Sequence, residues 1–233
     1  MRLVGLDIFR GVAIILMIVY HFIYNLHEFH YIDIDMSDSL HWRCFRALIV
    51  TMFLFGMGVS LHLSYGKGID TKKLFKRVII LGAASLLISI VTYQIYPKSW
   101  VFFGIIHFIT VATLIGLLFL NRPLLAFFSS ITIGILYFAD IVPYGWIVWK
   151  VAHFIGLPNY TVDFVPLIPW LWIVFFALTV AAKGWHIPLF DIDGSYKKSL
   201  IVLERMGQHS LLIYLVHLPV LYGLFVLVDL AFK

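Results

Sequence analysis

Seven stretches of this chain are apolar over roughly the length a helix needs to cross about 30 Å of hydrocarbon, and nothing else in the sequence constrains the fold as strongly. They cover residues 8–26, 44–64, 74–94, 101–120, 123–141, 167–184 and 210–231. In lipid, backbone polar groups must be satisfied within the segment itself, so each stretch is expected to be a helix. The composition agrees. Of the 233 residues, 62% are hydrophobic and 12% are charged, against roughly a quarter charged in soluble domains. The expected fold is all-α: a polytopic transmembrane helix bundle of about seven spans, with residues 1–233 forming a single transmembrane domain. An eighth apolar stretch, 146–157, is too short for an ordinary span and is expected to be re-entrant or interfacial. Were it to cross, the C-terminus would change sides.

Orientation follows from the basic residues. With the N-terminus in the cytoplasm, the inside regions hold Arg2, Arg10, Lys67, Lys72, Lys73, Lys76, Arg77, Arg122, Lys183, Lys197, Lys198 and Arg205. The outside regions hold Arg43, Arg46, Lys98, Lys150 and Lys233. That is 12 against 5, which favours a cytoplasmic N-terminus and an external C-terminus in a multi-pass plasma-membrane protein. The formal charge of +5 is thus a matter of topology and no sign of nucleic-acid binding. The first apolar segment is expected to be a retained helix rather than a signal peptide, because no small-x-small cleavage pattern follows it. Cys44 is the lone cysteine and can form no intramolecular disulfide.

The stretch "LDIFRGVAIILMIVYHF" (6–22) places charges and an imidazole in hydrocarbon. Arg10 and His21 are separated by 11 residues, roughly 16 Å along a helix, and eleven steps of about 100° return to nearly the same face. Asp7 lies three residues before Arg10 and can pair with it. Tyr24 and Asn25 follow His21 by three and four residues. This face, polar at both ends, is expected to line a bundle interior. Further histidines recur in apolar segments: His107 in "GIIHFITVA", and His209 and His217 in "GQHSLLIYLVHLP". Pro219 is expected to bend the backbone near His217. His62 is expected to be a packing residue. The first outside loop, with His27, His30, His41, Asp33, Asp35 and Asp38, is read as solvated. The sequence lacks the helix and cysteine-pair spacings of metal sites, so no metal is expected. A histidine facing a membrane cavity can serve as general base toward a hydroxyl or amine.

As a set, "LDIFRGVAIILMIVYHF", "MFLFGMGVSLHLS", "GIIHFITVA", "VPLIPW" and "MGQHSLLIYLVHLPVL" resemble the catalytic domain of heparan-alpha-glucosaminide N-acetyltransferase and its small bacterial relatives. The first segment also resembles the opening helix of the wider membrane acyltransferase superfamily, where an arginine, ten residues and a histidine recur. Arg10 and His21 match that spacing. The resemblance implies an acyl-CoA-dependent O- or N-acyltransferase that moves an acyl group, acetyl first, from the cytosolic thioester to a sugar or cell-envelope glycan. It implies His21 as catalytic base; His107, expected at a similar depth from the cytoplasmic side, is its rival. Arg10, Lys72, Lys73 and Arg77 are the groups available to the phosphates of acetyl-CoA or another acyl-CoA. Asp7, Tyr24, Asn25, His209 and His217 are expected to contact substrate or orient the site. The expected partners are the lipid bilayer, the acyl-CoA and the glycan acceptor. The larger relatives have more spans, so a second copy or a partner subunit is a further expected partner. Two other functions fit the residues alone, a small proton-coupled transporter and a non-catalytic membrane scaffold.

Overall fold

The computed structural model describes residues 3–36, 39–192 and 200–232. Asp38, Arg2, Lys197, Lys198 and Lys233, which entered the reading above, lie outside the described residues. Ten helices make up the described fold: α1 (Val4–Glu28), α2 (Leu40–Tyr65), α3 (Thr71–Ile95), α4 (Ile105–Leu117), α5 (Pro123–Phe138), α6 (Trp146–Phe154), α7 (Leu167–Ala182), α8 (His186–Phe190), α9 (Ile201–Gln208) and α10 (Ser210–Phe232).

Local signals explain several boundaries. The α3 helix starts where Asp70 caps it, the carboxylate accepting from the Lys73 N–H at 3.1 Å. Pro123 opens α5, in a first turn where its missing N–H costs nothing. Asp7 sits in the first turn of α1, where the helix dipole favours an acid. The α10 helix continues through Pro219, so the bend expected beside His217 does not interrupt it.

Four helices are long and apolar enough to cross a membrane: α1, α2, α3 and Ser210–Ala231 of α10. Apolar side chains such as Leu86, Leu87 and Ile90 on α3, and Leu224 and Leu227 on α10, stand exposed, a surface suited to lipid. The chain is therefore a multi-pass helical membrane protein. Each of the other three expected spans holds a shorter apolar helix: α4 has 13 residues, and α5 and α7 have 16 each. At 1.5 Å per residue these reach only roughly 20–24 Å. The fourth span, expected over 101–120, is shorter for an identifiable reason. Val101 gives its carbonyl to Ser89 Oγ at 2.7 Å, and its N–H donates to Thr92 Oγ1 at 3.0 Å. Phe103 forms an isolated bridge with Phe164. Those backbone groups are satisfied by neighbours, so residues 101–104 remain extended.

The described residues pack as two compact units. The first comprises Met1–Phe53 and Ile187–Lys233. Its core gathers Ile14, Met17 and Ile49, with Phe45, Phe53, Met206, Ile213 and Tyr214 against them. Here α9 lies against α1 with almost nothing between the two backbones. A Cβ on Gly11 would come within 2.7 Å of the Leu203 carbonyl carbon, and one on Gly207 would collide with the Asp7 carbonyl oxygen. The second unit is Leu54–His186. There α5 packs on α7 and α3 on α4, with Phe119 stacked on Phe175 at 4.1 Å.

Candidate active site

In the first unit, α1 carries its polar groups where the spacing placed them. Arg10 Nη1 lies 3.6 Å from Asp7 Oδ1, and the Asp7 carboxylate is nearly buried. Further along α1, the partner that α10 supplies to His21 is His217. The two rings meet edge to face with centroids 4.8 Å apart, and His217 Nε2 is 3.3 Å from His21 Nδ1.

The hydrogen bonds fix the tautomers. His217 Nδ1 lies 2.6 Å from the Tyr214 carbonyl oxygen, and His21 Nδ1 lies 2.9 Å from the Met17 carbonyl oxygen. Carbonyl oxygens only accept, so both Nδ1 atoms carry hydrogen. His217 Nε2 then holds a lone pair and accepts a second share of the His21 Nδ1–H. The lone pair of His21 is left on Nε2.

Beyond His21, Asn25 is buried and its Nδ2 has no hydrogen-bond partner. A buried donor without a partner costs roughly 1–3 kcal/mol. Tyr24 is exposed and, with His27, Glu28, Asp33, Asp35 and Met36, lines an open cavity of about 290 Å³. Among the described residues no three His, Cys, Asp or Glu side chains are placed to hold a metal ion. His209 ends α9, its Nδ1–H donating to the Arg205 carbonyl at 2.9 Å, and it stands exposed.

The second unit holds His107, in different surroundings. Ser89 Oγ donates its hydrogen to the Val101 carbonyl at 2.7 Å, so at 3.0 Å it accepts from His107 Nε2–H. His107 Nδ1 then accepts from the Gly104 N–H at 3.3 Å. Both ring nitrogens are engaged, Nδ1 at the N-terminus of α4 and Nε2 on the α3 hydroxyl. Asp163 does the same work from a distant loop, its Oδ2 accepting from the Ile105 N–H at 3.2 Å. Neither Ser89 nor Asp163 was picked out from the sequence. Lys72, Lys73 and Arg77 lie in the first two turns of α3, with Lys73 Nζ 5.6 Å from the Tyr65 ring centroid.

Residues 2–219 match the sequence profile of one family, described as heparan-alpha-glucosaminide N-acetyltransferase, catalytic. The chain belongs to this family. The match takes in every helix described above except the end of α10, and it includes both histidines of the α1–α10 pair. Comparison with curated proteins and with solved structures gave no match.

Proposed function

We propose that this chain is a membrane acyltransferase that carries an acyl group, acetyl first, from cytosolic acyl-CoA to a sugar or cell-envelope glycan. The observation that carries the reading is the lone pair left on His21 Nε2 by its bonds to Met17 and His217. The acceptor's hydroxyl or amine attacks the thioester carbonyl while His21 Nε2 takes its proton. The resulting imidazolium keeps its Nδ1–H on the Met17 carbonyl and on His217 Nε2. The tetrahedral intermediate collapses, the carbon–sulfur bond breaks, and His21 returns the proton to the departing thiolate. Acylated acceptor and free thiol result.

The remaining residues take supporting roles. Tyr24 and the cavity beside it receive the acceptor, and the unpaired Asn25 amide donates to a sugar oxygen. His217 orients His21. Arg10, held by Asp7 in the first unit, offers a fork of donors to the donor's phosphates; in the second unit, Lys72, Lys73 and Arg77 are the basic groups available to a phosphate. His107 is the second candidate base, and it would have to give up the Gly104 N–H to act. His209, exposed at the end of α9, orients the site from the inner edge.

Residues 1–233 act as one transmembrane domain of about seven spans with the N-terminus inside, as a small bacterial member of the family. Membrane-impermeant thiol labelling of Lys67→Cys in a Cys44→Ser background tests the orientation. Protection in intact cells is expected, and strong labelling from outside would invert the topology.

The chemistry is tested on purified His21→Gln. Glutamine keeps polarity but cannot act as base near neutral pH. Retained coenzyme A binding with turnover lowered about 10²–10⁴-fold is expected. Arg10→Lys should instead weaken coenzyme A binding. A folded His21→Gln protein with near-normal turnover would remove His21 as the base.

A further inference from the structure

The α6 helix has 9 residues. At 1.5 Å per residue it spans about 14 Å, under half of the roughly 30 Å of hydrocarbon in a bilayer. Gly145 and Gly156 stand at its two ends with φ of 74° and 72°, left-handed backbone that glycine adopts readily, so the chain turns before and after it. In the second unit α6 packs on α7. Steps of about 100° sort its side chains into three strips. Val148, Trp149 and Ala152 face the protein. Ala152 is 2% exposed, and the Trp149 ring lies 4.6 Å from that of Phe164 and 5.7 Å from that of Phe102. Ile147, Val151 and Phe154 form the second strip and stand 43%, 54% and 89% exposed. Trp146, Lys150 and His153 form the third, also exposed, with Lys150 Nζ 4.5 Å from the Trp146 ring centroid.

An apolar strip this exposed is stabilised by a nonpolar phase beside it. Burial in hydrocarbon does not suit α6, because Lys150 and the turns at Gly145 and Gly156 would lose their water. Open water does not suit Phe154. The bilayer boundary offers both phases. A helix lying along it puts one strip among the acyl chains and the next among the headgroups. Trp146 and Lys150 are the residue types that anchor at that level, the indole at headgroup depth and the ammonium on a lipid phosphate. The exposed apolar surface is also continuous along the chain. Phe128, Ile131, Ile135 and Phe138 share one exposed face of α5 at spacings of three and four, and exposed Ile141 follows in the turn that leads to α6. A stacked sugar would need an open aromatic face, and Lys150 covers that of Trp146.

We propose that α6 lies flat in the bilayer interface, with Ile147, Val151 and Phe154 among the acyl chains and Lys150 on a lipid phosphate. The helix then neither crosses nor re-enters. Through Trp149 it holds Phe102, and with it the extended run at 101–104, at headgroup level. The placement is the same in either leaflet and rests on no part of the acyltransferase reading.

The test reads depth in vesicles of phosphatidylcholine and phosphatidylglycerol that hold the full chain. In a Cys44→Ser background, a polarity-sensitive fluorophore is attached to Val151→Cys, His153→Cys or Phe154→Cys. All three positions are exposed, and melting temperatures report folding. Nitroxides on the headgroup, on acyl carbon 5 or on acyl carbon 12 quench according to depth, and iodide on both sides of the membrane reports water. The proposal expects blue-shifted emission at positions 151 and 154, quenched most strongly from carbon 5. Position 153 should be quenched from the headgroup and by iodide. Strongest quenching of position 154 from carbon 12, with position 153 shielded from iodide, would make α6 re-entrant and overturn the proposal. Water-like emission with iodide quenching at all three positions would also overturn it and leave an aqueous face open to a glycan. Should Val151→Cys fail to fold, Ile147→Cys reads the same strip. Lys150→Glu should weaken carbon-5 quenching at position 154 in vesicles rich in phosphatidylglycerol, because the headgroups repel the new charge. Unchanged quenching there overturns the phosphate contact.

Discussion

His21 and His107 are both histidines in apolar helices, and their surroundings give them opposite chemistry. His21 bonds through one nitrogen to Met17 and His217. His107 bonds through both, to Ser89 and to Gly104. A general base needs a lone pair that a substrate proton can reach. In the first unit the Met17 carbonyl and His217 hold Nδ1–H, and neither of those bonds uses the Nε2 lone pair. In the second, one nitrogen caps a helix and the other ties it to its neighbour, so both are used. An imidazole in hydrocarbon is therefore not by itself a sign of catalysis. The partners of its second nitrogen decide.

The comparison breaks most decisively at the two residues themselves. His21→Gln should cost turnover about 10²–10⁴-fold with little loss of stability. Equal rate losses at His21→Gln and His107→Gln, in folded proteins, would erase the distinction. His217 is the next test. His217→Phe removes the second acceptor of His21 Nδ1–H and leaves the Met17 carbonyl, and kcat should fall by up to about tenfold, a lost hydrogen bond's worth. His217→Gln returns an acceptor and should recover part of the rate. A merely structural His217 would show no such rescue at equal melting temperature.

Smaller effects sharpen the contrast from the structural side. Gly207→Ala forces a methyl onto the Asp7 carbonyl and should destabilise by about 1–3 kcal/mol, read as a lower melting temperature in detergent. Unchanged melting would mean that α1 and α9 can part at no cost. Ser89→Ala strands the His107 Nε2–H and should cost about 1 kcal/mol of stability, while turnover per folded molecule stays the same. A turnover defect there would draw His107 back into the chemistry.

The α1 site was legible because its logic is local. Helical spacing alone put Asp7 against Arg10 and turned Arg10 and His21 to one face. The pairing of His21 with His217 spans 196 residues and leaves no trace in spacing. The sequence marked both as histidines in apolar helices but could not join them. The extended run at 101–104 looks helical in sequence because "WVFFGII" is apolar throughout. What holds it open is a pair of hydroxyls on α3, and Ser89 and Thr92 look ordinary in their own segment. Asp163, which caps α4 across 58 residues, sits in a loop where an acid raises no question. Nothing around Gly207 in "MGQHSLL" explains the glycine, because only another backbone can reveal why a side chain is forbidden.

The glycine seam between α1 and α9 has a mechanical consequence. Two backbones in direct contact have no side chains to flex between them, so the joint cannot serve as a slide or a piston. α1 is a rod clamped at one end, and the clamp at Gly11 and Gly207 sets how far along its axis His21 stands. The His21 imidazole then keeps a fixed address on that axis, and whatever meets it must be brought to it.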